Sequence, residues 1–429
     1  MRKSPVSLEG SAGFGRNLQY YKFCLYGFLK NLKFFEPFLI LFFVEKGLTF
    51  FQIGTLYAVR EISVNLLEIP TGIAADAVGR RKTMICAFLF YILSFLVFYF
   101  AAEYLLLVPA MVLFAFGEAC RTGTHKAMIF EYLKINGWQD QKVHYYGHTR
   151  SWSQAGSAVS AFLAAGIVFY SGSYGRVFLF STVPYVLALL LMISYPAALD
   201  GEKPTVSGTD IRRNFIRIMK VSVSAVTDAR SLKAISNLSV FSAFHRAARD
   251  YLQPVLAAFA VSLPVFLTFS DKQRSALAIG MVYTLIFMLT AVASRKSGKS
   301  ADRFHHITVP LNITVVTGLV MGILIGLFYH LGITLVSILL YIGIYIVQNL
   351  RKPMGIAYIS DLMHQDILAT ALSAESQVTT LFTAVLAVGL GLCADHFGIG
   401  NALIIGAAFL LALFPLYRAA EKKEFSTKK

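Results

Sequence analysis

Apolar runs of about 20 residues, the length one helix needs to cross the hydrocarbon core of a bilayer, follow one another from Tyr20 to Tyr417. A chain of 429 residues built this way has room for about twelve crossings and no large soluble domain. Composition agrees, with a mean hydropathy of +0.63 and only 14% charged residues, against about a quarter in soluble domains. The runs predict helices at Tyr20–Val44, Phe51–Ala75, Thr83–Ala102, Leu105–Phe130, Tyr146–Tyr170 and Arg176–Ala197. A second set is predicted at Ile235–Val261, Ser275–Ser294, Ile307–Tyr329, Ile333–Leu350, Leu368–Ala394 and Gly400–Tyr417. The stretch between them, with Asp210, Arg212, Arg213 and Arg217 among its charges, cannot span and reads as a linker with one amphipathic surface helix. The expected organisation is an all-α integral membrane protein: a six-helix unit over residues 1–198, a cytoplasmic loop over 199–233, and a six-helix unit with a basic tail over 234–429.

The formal charge of +16 would suggest a nucleic-acid partner in a soluble protein. In a membrane chain it is the by-product of basic cytoplasmic loops, so no nucleic-acid partner is expected. With the N-terminus in the cytoplasm, that side holds Arg16, the Arg80-Arg81-Lys82 cluster, the central loop, Arg295, Lys296, Arg351, Lys352 and the lysine-rich tail. The other side keeps only Lys46, Arg176, Lys272 and Arg274, which predicts a multi-pass protein with both termini cytoplasmic. No short apolar core with a small-residue cleavage site precedes Tyr20, so the first span is expected to be kept. Cys24, Cys86, Cys120 and Cys393 have no metal or disulfide spacing and read as small buried hydrophobes.

The two halves of the chain match each other. FFEPFLILFFV at Phe34–Val44 aligns without gaps with YLQPVLAAFAV at Tyr251–Val261. Gly54 and Tyr57 match Gly280 and Tyr283, Gly72 and Asp76 match Gly298 and Asp302, and Arg121 precedes Glu131 by the interval that separates Arg351 from Asp361. Duplication into parallel halves related by an axis along the membrane normal is a known transporter plan.

EIPTGIAADAVGRRK, from Glu68 to Lys82, resembles the loop signature of the major facilitator superfamily, with Gly72, Asp76, Gly79, Arg80 and Arg81 in the signature's places. GKSADRF, from Gly298 to Phe304, is a degenerate second copy. The resemblance runs from about Tyr20 to Tyr417 and implies a fold of twelve transmembrane helices in two six-helix bundles, working as a secondary transporter in a bacterial inner membrane. It implies that the first and seventh helices face each other across a central cavity. Arg121 is followed by Gly123, not by a glycine four positions on, and the fifth helix lacks the antiporter pattern, so the finer signatures of drug antiporters are missing.

Ionisable residues at mid-membrane cost at least about 2.5 kcal/mol and normally face water or a partner. Lys30, Asn31, Lys33 and Glu36 sit in the first helix, Arg60 and Glu61 in the second, Glu118, Arg121 and Lys126 in the fourth. Arg246, Arg249, Asp250 and Gln253 recur at helical spacing in the seventh, with His245 on the edge. The basic members outnumber the acidic ones, which predicts one cavity suited to an anionic substrate. Glu36, Glu61, Asp250 and His245 are the candidates for proton coupling. Glu131 and Asp361 are expected to form gate pairs with Arg80 or Arg81 and with Arg303 or Lys299. Ordinary structural ion pairs remain the competing reading for any one of these contacts.

The sequence contains no H-E-x-x-H, G-x-S-x-G or Walker A pattern, and neither an enzyme nor an ATP-driven pump is expected. The expected function is transport of a small organic anion or amphiphilic metabolite coupled to protons, with multidrug efflux as the alternative. No cofactor and no metal are expected; the partners are the substrate, protons and membrane lipid, and the chain is read as a monomer.

Overall fold

The computed structural model describes residues 15–201, 229–301, 304, 306–362 and 365–419, and every regular element among them is a helix. The first half contains α1 (Leu18–Lys30), α2 (Leu39–Glu45), α3 (Phe50–Val78), α4 (Arg80–Phe100), α5 (Tyr104–Arg121), α6 (Thr124–Ile135), α7 (Lys142–Ser171) and α8 (Arg176–Ile193). The second contains α9 (Ala229–Ala248), α10 (Leu252–Ser262), α11 (Asp271–Ala301), α12 (Thr308–His330), α13 (Thr334–Leu362), α14 (Gln365–Ala412) and α15 (Phe414–Tyr417). Among the described residues, 8 helical stretches are long and apolar enough to cross a membrane. The outer surface fits that solvent: Tyr170 is 89% exposed, Phe100 74% and Phe162 70%, as only a lipid-facing surface tolerates. This is an all-α, multi-pass membrane fold.

Three predicted spans are not continuous. The first stops at Lys30, passes through a 3-10 turn at Glu36–Phe38 and resumes as α2. The seventh is interrupted by a 3-10 turn at Arg249–Tyr251. Both interruptions lie beside a proline of the internal repeat, Pro37 and Pro254, which lacks an N–H and crowds the preceding turn. The fourth breaks at Thr122–Gly123, where Gly123 takes φ 79°. α13 runs on to Leu362, past the expected end at Leu350, and α14 is broken at Gly398 (φ 80°). Arg351, expected in a cytoplasmic loop, lies inside α13 at 1% exposure. Its guanidinium donates to the carbonyl oxygens of Leu311 and Asn237 and to Thr314 Oγ1 at 3.1 Å, which ties α13 to α12 and α9.

Within the first half, α4 packs on α5 and α8, α3 on α5, and α1 on α7. Within the second, α12 packs on α13 and α14, and α11 on α10 and α13. The halves meet along two seams, α3 on α14 and α7 on α11. Each seam has a repeat-related glycine at its crossing. A Cβ on Gly54 would stand 2.3 Å from the Ala387 carbonyl oxygen, and one on Gly280 would stand 2.4 Å from Ala165 Cβ. Small residues let two backbones approach this closely in lipid, where packing is the main force between helices.

The α3/α14 seam supplies a test with an internal control. A Cβ on Gly391 would lie 2.3 Å from the Phe50 carbonyl oxygen, whereas Gly389 has nothing within 4 Å. Gly391→Leu should cost about 1–3 kcal/mol through overpacking and lower the melting midpoint in detergent, while Gly389→Leu should leave it nearly unchanged. Equal effects would mean that the close approach is not what holds the seam.

Candidate functional site

The interrupted segments meet at mid-depth. At the break in the first half, Glu36 lies in the 3-10 turn and Ile40 in the first turn of α2. Gln253, 0% exposed, bonds to both from the other half: its Nε2 donates to Glu36 O at 3.0 Å and its Oε1 accepts from Ile40 N at 2.8 Å. Arg249 lies one turn back. Its Nη2 donates to Glu36 Oε1 at 3.2 Å, and its Nε stands 3.4 Å from Asp250 Oδ1. The first and seventh segments therefore touch, in keeping with the facing that the resemblance implies.

A second ionic group flanks the first. Arg60 holds Glu61 Oε1 at 2.9 Å and lies over the Tyr57 ring at 5.0 Å, while Arg246 reaches Glu61 Oε2 at 3.6 Å. Both groups border a central cavity of about 310 Å³. Its cations are Lys33, Arg60, Arg246 and Arg249, and its acids are Glu36, Glu61, Glu68, Glu118 and Asp250. The central cavity thus has no basic surplus, contrary to the expectation from the sequence.

The surplus lies next door. Lys30, Asn31 and Arg121 line a separate cavity of about 360 Å³ together with Lys126 and Arg150, and no carboxylate lines it among the described residues. α1 ends at Lys30, so the i, i+3 spacing that would put Lys30 and Lys33 on one face does not apply, and the two lysines enter different cavities. Arg121 stands at the border, paired with Glu118, which also accepts from the Tyr91 hydroxyl. Lys126 is held over the Phe130 and Tyr146 rings at 5.4 and 5.6 Å. Arg150, inside the expected fifth span Tyr146–Tyr170, is not among the anticipated residues, because the charges singled out in the sequence come from the first, second, fourth and seventh helices.

His245 is buried against the Tyr345 ring, with centroids 4.9 Å apart, and lines neither cavity. In the loop motif, Gly79 (φ 118°) leaves room for the Asp200 carboxylate, which accepts from the Arg81 N–H at 2.7 Å. Arg81 also donates to Tyr195 O at 3.0 Å. Nothing lies within 4 Å of a Cβ built on Gly72, so no close helix contact depends on it here. The Asp76 side chain is 59% exposed and lies 3.7 Å from Arg80. Arg80 reaches Glu131 at 3.5 Å as expected, but α4 and α6 belong to the same half, so this pair does not bridge the halves. Arg303 and the Asp361 side chain lie outside the described residues. Asp200 was missed because a lone aspartate in a stretch read as linker carries no pattern pointing to Gly79.

At the end away from the chain termini, polar contacts join the halves. Asp395 caps α3 from the other half, accepting from Phe50 N at 2.7 Å and Phe51 N at 2.8 Å, and Lys272 pairs with Glu45. Gln273 donates to Phe169 O at 3.1 Å across the second seam.

A sequence pattern described as the Major Facilitator Superfamily matches residues 24–374. The chain belongs to the major facilitator superfamily. It is 23% identical, over 90% of its length and 92% of the relative's, to YxaM of Bacillus subtilis (strain 168), described as an uncharacterized MFS-type transporter. A POT family transporter in complex with 5-aminolevulinic acid superimposes with a TM-score of 0.72 at 15% identity, covering 94% of this chain and 96% of that one. The nucleoside transporter NupG gives a TM-score of 0.71 at 13% identity, covering 94% of this chain and 98% of that one. At these identities the likeness is one of fold. The protein is a secondary transporter working by alternating access and not an enzyme. In this superfamily member polar contacts join the halves at one end, the kind of contact that changes as halves rock.

Gln253 is the most direct probe of this geometry. Gln253→Leu keeps the shape but strands two backbone groups, which should cost about 1–3 kcal/mol and lower the melting midpoint in detergent. An unchanged midpoint would show that these bonds do not hold the halves together.

Proposed function

We propose that this protein carries a small organic anion or an amphiphilic metabolite across a bacterial inner membrane, coupled to protons. The observation that carries the reading is the cavity lined by Lys30, Arg121, Lys126 and Arg150 with no carboxylate among the described residues of its wall, because clustered cations around one space attract an anion. The central cavity supplies the coupling. Glu61 holds both Arg60 and Arg246, and Glu36 shares Arg249 with Asp250. A proton on either carboxylate frees a guanidinium for substrate, and loss of that proton takes the guanidinium back. His245, packed on Tyr345 away from these carboxylates, has no part in this scheme.

The reading takes the chain as twelve spans in two six-helix bundles, residues 1–198 and 234–429, with both termini cytoplasmic and the protein acting as a monomer. It is supported by what escapes a criterion of length and apolarity: α1 with α2 and α9 with α10 are interrupted, α3 carries Arg60, Glu61 and Glu68, and α14 breaks at Gly398. Multidrug efflux is the second reading, and Glu68 favours it, since it lines the central cavity with no cation in ion-pair range among the described residues.

The test is uptake into proteoliposomes of a panel of anions and cations under an imposed pH gradient. At least one anion should accumulate with the gradient, and Arg249→Ala and Lys33→Ala should each lower its rate about tenfold or more, the scale of one lost charge-assisted bond. Unchanged anion transport in both variants would remove the reading, and activity toward cations alone would favour efflux.

A further inference from the structure

The cavity beside the centre has more structure than a patch of positive charge. Lys30 has the like charges of Arg121, Lys33 and Arg150 near it, and the charge of Glu118 opposes them. Glu118 itself is engaged by Arg121 and Tyr91. Among the described residues, Lys30, Lys126 and Arg150 have no carboxylate in ion-pair range.

The backbone contributes as well. α6 starts at the wall of this cavity, where Gly123, His125 and Lys126 line it, and its first turn has no side-chain cap. An uncapped helix start presents free N–H groups and the positive end of the helix dipole, which together favour tetrahedral anions. Uncharged groups complete the wall. Tyr26, buried, lines the cavity beside Arg121 and His125. A single carboxylate would leave most of this charge unanswered, whereas an oxyanion with two charges and three free oxygens can meet two guanidinium groups and the helix start together.

We propose that this cavity seats a doubly charged phosphate group, as inorganic phosphate or as the head of a small phosphomonoester, held by Lys30, Arg121, Lys126, Arg150 and the first turn of α6. The assignment rests on the anion-transport reading above and narrows its substrate class. Alternating access then carries the phosphate group on the first half of the chain, while the carboxylates of the central cavity respond to its approach.

The experiment is ligand binding to the purified full-length protein in detergent, with inorganic phosphate, glycerol 3-phosphate, glycerate and glycerol as probes. Glycerol 3-phosphate should bind about tenfold or more tightly than glycerate, and glycerol should not bind. Arg150→Gln and Lys126→Gln should each weaken phosphate-group binding about tenfold. Both residues are exposed, so the unliganded melting midpoint should stay in place. Arg246→Gln, in the central cavity, should leave phosphate binding within about twofold of the parent. Comparable binding of inorganic phosphate and glycerol 3-phosphate would make the phosphate group the whole determinant, while tighter binding of glycerol 3-phosphate would add the ester body; both support the site. Equal affinity for glycerate and glycerol 3-phosphate, or undiminished binding in Arg150→Gln, would overturn it. The two readings fail separately. Transport of an anion without phosphate binding removes this inference alone, and phosphate binding without any anion transport removes the transport reading while the site stands.

Discussion

A helix that stops in the middle of a bilayer exposes amides and carbonyls where no water can reach them, and each stranded group costs several kcal/mol. The break in the first half of this chain is answered by Gln253 of the second half, which takes the Ile40 N–H and gives to the Glu36 carbonyl. The backbone of one half is therefore completed by a side chain of the other. Arg249 repeats the relation in charge by holding Glu36. Loss of this contact would strand groups on both sides, so the contact ties the internal duplication to the functional centre.

The remaining polar groups follow from where the backbone breaks. The break after Lys30 sends Lys30 and Lys33 into different cavities, and the break at Thr122–Gly123 places Glu118 against the central cavity and Lys126 against the flanking one. Irregular backbone is tolerated at membrane depth where it lines such spaces. The outcome is a division of labour. Carboxylates and arginines are paired in the centre, where a proton can alter the pairing, and unopposed cations collect beside α6. Contacts between the halves that involve Asp395, Lys272 and Gln273 lie at one end, apart from both cavities.

Much of this was legible in the sequence. The resemblance to the superfamily implied that the first and seventh helices face each other, and the repeat of FFEP and YLQP with the stripe of Arg246, Arg249, Asp250 and Gln253 set their charges at matching depth, because depth along a helix can be counted. Rotation about a helix cannot be counted once the helix ends, and this is why Lys30 and Lys33 were read into one basic cavity. Arg351 looked like a loop residue because Arg-Lys-Pro normally ends a span. Carbonyl oxygens from two neighbouring helices make its burial tolerable, and no local pattern encodes them. The repeat itself misleads at this point: Arg121 and Arg351 occupy equivalent positions, yet one borders the cavities and pairs with Glu118 while the other is sealed among carbonyls.

The account stands or falls on whether the two halves rock about the Gln253 and Arg249 contact, opening one end as the other closes. The most direct measurement is the distance between spin labels at both ends of the same protein in liposomes, with the native cysteines replaced. Val44→Cys with Val261→Cys reports the end joined by polar contacts and Ile135→Cys with Ile356→Cys the other; all four positions are exposed. The expected result is two populations whose proportions shift together, the first distance lengthening as the second shortens. Fixed distances in both pairs during active transport, or two distances that lengthen together, would contradict it.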